Sequence, residues 1–120
     1  MWIMTNSSFV SIVEHWEKPG TLIVRGRFSG DVGRFLQTKK RETVTKDRDY
    51  RYRMEADREA VDKAVVRAAR GIDYGNFKNS CPEWRHVVYM RVWSVLHEAQ
   101  HLAATGASGW WKRLAVWRDV

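Results

Sequence analysis

The sequence predicts an α+β fold: a small, mostly antiparallel sheet with two main helices packed on one face, as a two-layer sandwich. Three observations lead there. Two runs of strand formers, residues 9–13 and 21–25, flank the turn chemistry of Lys18-Pro19-Gly20. Residues 50–55 alternate, with Tyr50, Tyr52 and Met54 facing one way and Arg51, Arg53 and Glu55 the other. Two longer segments, 57–70 and 82–104, carry apolar residues at helical spacing.

Taken in order, residues 2–5 read as a short strand or as a continuation of the first run. Residues 9–13 and 21–25 form a hairpin. Ser29 is placed to cap a short helix through Gln37, with Val32, Phe35 and Leu36 on its buried side and Gly33 lowering its propensity. Residues 38–49 are polar and charged, an exposed loop with at most a short strand at 42–45. After the alternating strand, whose tyrosines are expected in the core, Asp57 caps a helix. Its apolar stripe is Val61, Ala64, Val65 and Ala68, and Gly71 stands at its C-terminal end. Pro82 suits the first turn of a second long helix, on which Val88, Val92, Val95, Ala99 and Leu102 share one stripe. Gly106-Ala107-Ser108-Gly109 breaks it, leaving a tail with one or two more helical turns. The expected organisation is a single domain over 1–105 and a glycine-hinged, tryptophan-rich basic tail over 106–120.

Composition narrows the function classes. With 120 residues, 44% hydrophobic and 29% charged, the chain has enough apolar material for a core. A lone cysteine, Cys81, makes no internal disulfide. No apolar run reaches transmembrane length, and the apolar start lacks the basic and long hydrophobic regions of a signal peptide. A cytoplasmic protein is the expectation.

The net charge is +7, and residues 25–53 hold ten basic side chains against four acids. A field concentrated in this way attracts polyanions. The candidate polyanion-binding residues are Arg25, Arg27, Lys39, Lys40, Arg41, Arg51 and Arg53, and the partner is nucleic acid or an acidic protein. Tyr50-Arg51-Tyr52-Arg53 interleaves aromatic and basic residues, as single-stranded nucleic-acid sites do. Strand alternation nevertheless sends its tyrosines and arginines to opposite faces, so core tyrosines leave no stacking platform.

One catalytic pattern is present. His97-Glu98-Ala99-Gln100-His101 spells H-E-x-x-H, which on a helix offers two zinc ligands, His97 and His101, and a general base, Glu98. A zinc-dependent hydrolase is therefore an alternative. Against it, Ala104 and Ala107 stand where one familiar arrangement has glycine and histidine, and the only acid after His101 is Asp119. No spacing selects His15, His86, Glu14 or Asp73 as a third ligand. The histidines also lie opposite the helix's apolar stripe.

Seven tryptophans are many for this length. Trp110, Trp111 and Trp117 cluster in the tail, which suits docking on its own domain, a partner groove or a homo-oligomer contact. Residues 72–80 read as a structured connector with Tyr74 and Phe77 turned inward. Neither a nucleophile elbow nor a phosphate-cradling glycine loop is present.

Several blocks act together as a signature: Met1-Trp2-Ile3-Met4-Thr5-Asn6, Phe9-Val10-Ser11-Ile12-Val13, Asp49-Tyr50-Arg51-Tyr52-Arg53, Gly71-Ile72-Asp73-Tyr74-Gly75-Asn76-Phe77-Lys78-Asn79-Ser80 and Tyr89-Met90-Arg91-Val92-Trp93. With them the chain resembles a family of short uncharacterised proteins of bacteria and their phages, over roughly residues 1–96. The resemblance implies no catalytic residue, and H-E-x-x-H and the tryptophan-rich tail lie outside it. The expected function is non-enzymatic binding through the basic region. By analogy, a phage or mobile-element setting suggests an inhibitor of host nucleic-acid machinery. A structural or oligomeric accessory role is the remaining alternative.

Overall fold

A computed structural model describes residues 1–115. They form β1 (Trp2–Met4), β2 (Phe9–Glu14), β3 (Thr21–Gly26), α1 (Asp31–Leu36), β4 (Thr43–Val44), β5 (Tyr52–Asp57), α2 (Arg58–Arg70), α3 (Phe77–Ser80), α4 (Glu83–Ala104) and a 3₁₀ segment, Trp110–Leu114. The fold is α+β, as expected. The chain falls into two compact units, Met1–Phe77 and Lys78–Val120. The division thus lies between Phe77 and Lys78, whereas the sequence places its break at Gly106. The first unit holds the sheet with α1 and α2. The second holds α4 and the 3₁₀ segment.

All five strands pair antiparallel in the order β1-β2-β3-β5-β4. Residues 2–4 are a strand in their own right, joined to β2 with Ile3 opposite Val10. The β2–β3 hairpin sets Ile12 opposite Val24, and β3–β5 sets Val24 opposite Met54. Side chains alternate between sheet faces, so Val10, Ile12, Leu22 and Val24 share one face. There they meet Val32 and Phe35 of α1 and Val61 and Ala64 of α2. Val10, Val24 and Val32 have no exposed surface, and each contributes roughly 1.5–3 kcal/mol by burial. Tyr52, Met54 and Ala56 pack at the edge of this cluster.

The helix ends differ from the expectation. Ser29 does not cap α1; Gly30 occupies the cap position in the left-handed region. Three N–H groups near the helix start, those of Gly30, Val32 and Gly33, instead donate to the Glu42 carboxylate at 3.1, 3.1 and 3.4 Å. A carboxylate at a helix N-terminus satisfies orphan donors and complements the dipole, which lets a short, glycine-containing helix form. Asp57 precedes α2 without a capping bond from its side chain. Gly71 follows that helix at φ −81°, so the left-handed freedom of glycine is not used there. On α2, Val61 and Ala64 are buried. Val65 and Ala68 line a cavity of ≈ 500 Å³ shared with residues 3–8 and Tyr74.

In the second unit α4 runs for 22 residues, and the 3₁₀ segment packs against it. Among the described residues no helix is long and apolar enough to cross a membrane.

Candidate anion-binding site

The β3–β5 register sets Arg25 directly opposite Arg53. Leu22, Val24, Tyr52 and Met54 turn toward α1 and α2, so the two arginines project from the other face. Arg25 donates from Nη2 to Ser11 Oγ at 2.7 Å, and Ser11 is its neighbour across β2. A third guanidinium comes from Arg27 just beyond β3, which donates from Nη1 to the Asp49 carbonyl at 3.0 Å.

Tyr50 organises this group. Strand alternation predicts that its ring enters the core with Tyr52. The strand begins only at Tyr52, however, and Tyr50 belongs to the turn before it. Thr45 fixes that turn, its N–H donating to the Arg51 carbonyl at 2.7 Å and its hydroxyl to the Tyr50 carbonyl at 3.1 Å. The Tyr50 ring is buried, but under arginines: Arg27 Cζ lies 4.2 Å and Arg25 Cζ 4.5 Å from its centroid. Cations over an aromatic face are attracted by its quadrupole. The ring is thus occupied by guanidinium groups and offers no surface on which a base could stack.

The group makes no close ion pair with a carboxylate: among the described residues, none within 4.0 Å involves Arg25, Arg27, Arg48, Arg51 or Arg53. Glu55 is on the same face and two residues from Arg53, yet it is committed elsewhere. Lys18 Nζ and His15 Nε2 both bond it at 2.9 Å. His15 Nδ1 accepts the N–H groups of Glu17 and Lys18 at 3.0 and 3.1 Å, which places the donating proton on Nε2. The Lys18 and His15 hydrogen bonds hold the Glu55 carboxyl below its ordinary range. Burial lowers the pKa of the Arg53 guanidinium, and repulsion from Arg48 and Arg25 lowers it further, with Asp49 acting in the opposite sense. The Nε atoms of Arg25 and Arg53 are buried without a hydrogen-bond partner. Positive groups are therefore held together by the sheet.

No protein-family model, curated protein or solved structure matches this chain.

The predicted basic residues do not form one patch. Arg25, Arg27 and Arg53 converge, with exposed Arg51 and Arg48 adjacent in sequence to the Tyr50 turn. Lys39, Lys40 and Arg41 lie around a separate shallow depression with Arg34, Glu42 and Tyr52. Arg48 and the ordering role of Tyr50 were not singled out from the sequence. The only signal for Arg48 was its place in the basic run, and the alternation pointed Tyr50 the wrong way.

The H-E-x-x-H residues lie on α4, and His97, Glu98 and His101 are all exposed. The His97 ring stacks on Trp93, centroids 4.8 Å apart and planes 8° from parallel. Among the described residues, no three His, Cys, Asp or Glu side chains gather to hold a metal ion. The tail tryptophans divide: Trp110 is half-buried in the 3₁₀ segment that packs on α4, Trp111 is 50% exposed, and Trp117 lies outside the described residues. Cys81 is buried, and burial pushes its thiol up, away from nucleophilic use at neutral pH. Tyr74 and Phe77 are half-buried, with ring centroids 5.8 Å apart.

Proposed function

We propose that this protein is a non-enzymatic binding module whose arginine cluster takes the phosphate backbone of a nucleic acid. The observation that carries the reading is the pairing of Arg25 and Arg27 over Tyr50, with Arg53 directly opposite Arg25 and none of the three in an ion pair within 4.0 Å among the described residues. Guanidinium groups bind phosphate through paired N–H donors. An anion would relieve the repulsion between these side chains. The covered Tyr50 ring removes base stacking, so recognition falls on the backbone and is indifferent to sequence.

Backbone binding of this kind is salt-dependent through counterion release, with a slope of about −0.9 per phosphate contacted on duplex DNA and about −0.7 on single strands. The test is fluorescence anisotropy of labelled duplex and single-stranded oligonucleotides titrated at several salt concentrations. Arg27→Ala and Arg48→Ala, both at exposed positions, are each expected to reduce the slope by about one contact; Arg48→Ala leaves the melting temperature unchanged, whereas Arg27→Ala lowers it by also uncovering Tyr50 and releasing the Asp49 carbonyl. Absence of binding at low salt, or a slope that ignores both substitutions, overturns the reading. Binding to an acidic peptide but to neither oligonucleotide would assign the cluster to an acidic protein partner.

A further inference from the structure

On α4, Val88, Val92, Val95, Ala99 and Leu102 follow one another at alternating spacings of four and three residues. That is the 3.5-residue period of a coiled-coil seam, sustained over most of a 22-residue helix. One end of the seam is closed within the unit: Leu102 is buried, and the 3₁₀ segment packs on α4. The rest is open. Val88 is 37% exposed, Val92 38% and Val95 55%, and Leu96 beside them is 65% exposed. A continuous apolar strip of this kind on a helix calls for a partner.

The charges flanking the seam select the partner and its direction. With Val92 and Ala99 at a positions and Val88, Val95 and Leu102 at d positions, Arg91 and Glu98 fall at the two g positions. In a parallel pair, g positions face e positions of the other helix. Here those are Leu96 and Ala103, which leaves both charges without partners. In an antiparallel pair g faces g, and the two-fold axis sets Arg91 of each chain beside Glu98 of the other. The same axis layers Val92 on Val95 and Val88 on Ala99 of the second copy. Neither Arg91 nor Glu98 has an ion-pair partner within 4.0 Å among the described residues.

We propose that α4 is a self-association surface, pairing antiparallel with α4 of a second copy through Val88, Val92, Val95 and Ala99 between two Arg91–Glu98 ion pairs. The interface is isologous, as closed two-fold symmetry requires. It does not involve the arginine cluster.

The test is sedimentation equilibrium of the full chain over a wide concentration range. The wild-type protein is expected to sediment as a monomer–dimer equilibrium, and Val92→Glu as a monomer with an unchanged circular dichroism spectrum. Arg91→Glu and Glu98→Arg each turn two attractions into two repulsions and are expected to weaken the dimer about tenfold. The double variant Arg91→Glu/Glu98→Arg is expected to restore it. A wild-type chain that stays monomeric at every concentration overturns the proposal, as does a dimer indifferent to Val92→Glu. Failure of the double charge swap to rescue the single variants overturns the antiparallel arrangement.

Discussion

If the arginine cluster is built to receive an anion, removing one of its charges should make the free protein more stable and a poorer binder. Arg53→Met tests this, because methionine keeps an aliphatic stem while discarding the guanidinium. The structure supplies two gains. Arg53 stands directly across from Arg25, and like charges at such a cross-strand position cost about 0.2–1 kcal/mol. Its Nε is buried without a partner, a penalty of about 1–3 kcal/mol when fully desolvated. Arg53 is only half-buried, so the lower end of that range applies. Lost packing from the longer side chain offsets part of the gain. The net expectation is a stabilisation of about 1 kcal/mol, or a melting temperature raised by roughly 3–6 °C for a chain of this size. Thermal unfolding by circular dichroism reads it directly. Salt provides the internal control, since the Debye length is already about 10 Å at 0.1 M. Added salt should stabilise the wild type more than the variant, because only the wild type retains the full repulsion. In the oligonucleotide titration the variant should lose a slope of about 0.9. A melting temperature that falls, together with a salt response equal to that of the wild type, would refute the idea that these arginines repel one another in the free protein.

The remaining predictions concern the scaffold. Glu42→Ala removes the carboxylate that satisfies the Gly30, Val32 and Gly33 N–H groups. It should cost about 1–2 kcal/mol in urea unfolding, within the range of lost helix caps, with Glu42→Gln milder. Glu55 has a folded-state pKa below its unfolded value. Its contribution is therefore present above the unfolded value of about 4.3 and is lost as the pH falls through the lower folded value. Urea midpoints measured across that acidic window should fall less steeply for Glu55→Gln than for the wild type, and identical profiles would remove Glu55 from the acid response.

The strand pattern, the hairpin and the long helices were legible because each is written in local periodicity. Residues 9–14 and 21–26 pair as their composition and the Pro19-Gly20 turn require. The basic stretch was also legible as a stretch, but its division into two regions was not. Whether Arg25 meets Arg53 or Lys40 depends on which strands are neighbours, and β3 and β5 become neighbours only through a connection that passes over α1 and β4. Glu42 illustrates the same limit. Nothing within four residues of it marks it as the cap of α1, because the contacts span nine to twelve residues and are closed by the fold.

By itself the sequence determined the α+β class, the inward faces of β2, β3 and the short helix α1, the excess of positive charge and the seam along α4. These follow from side-chain period and composition, which act locally. Only the tertiary structure decided that Tyr50 lies under Arg25 and Arg27, that Glu55 is held by His15 and Lys18, and that the nearby arginines consequently lack carboxylate partners. Those outcomes depend on strand register, in which a displacement of one residue exchanges the two faces of the sheet. Register is set by hydrophobic contacts distant in the chain.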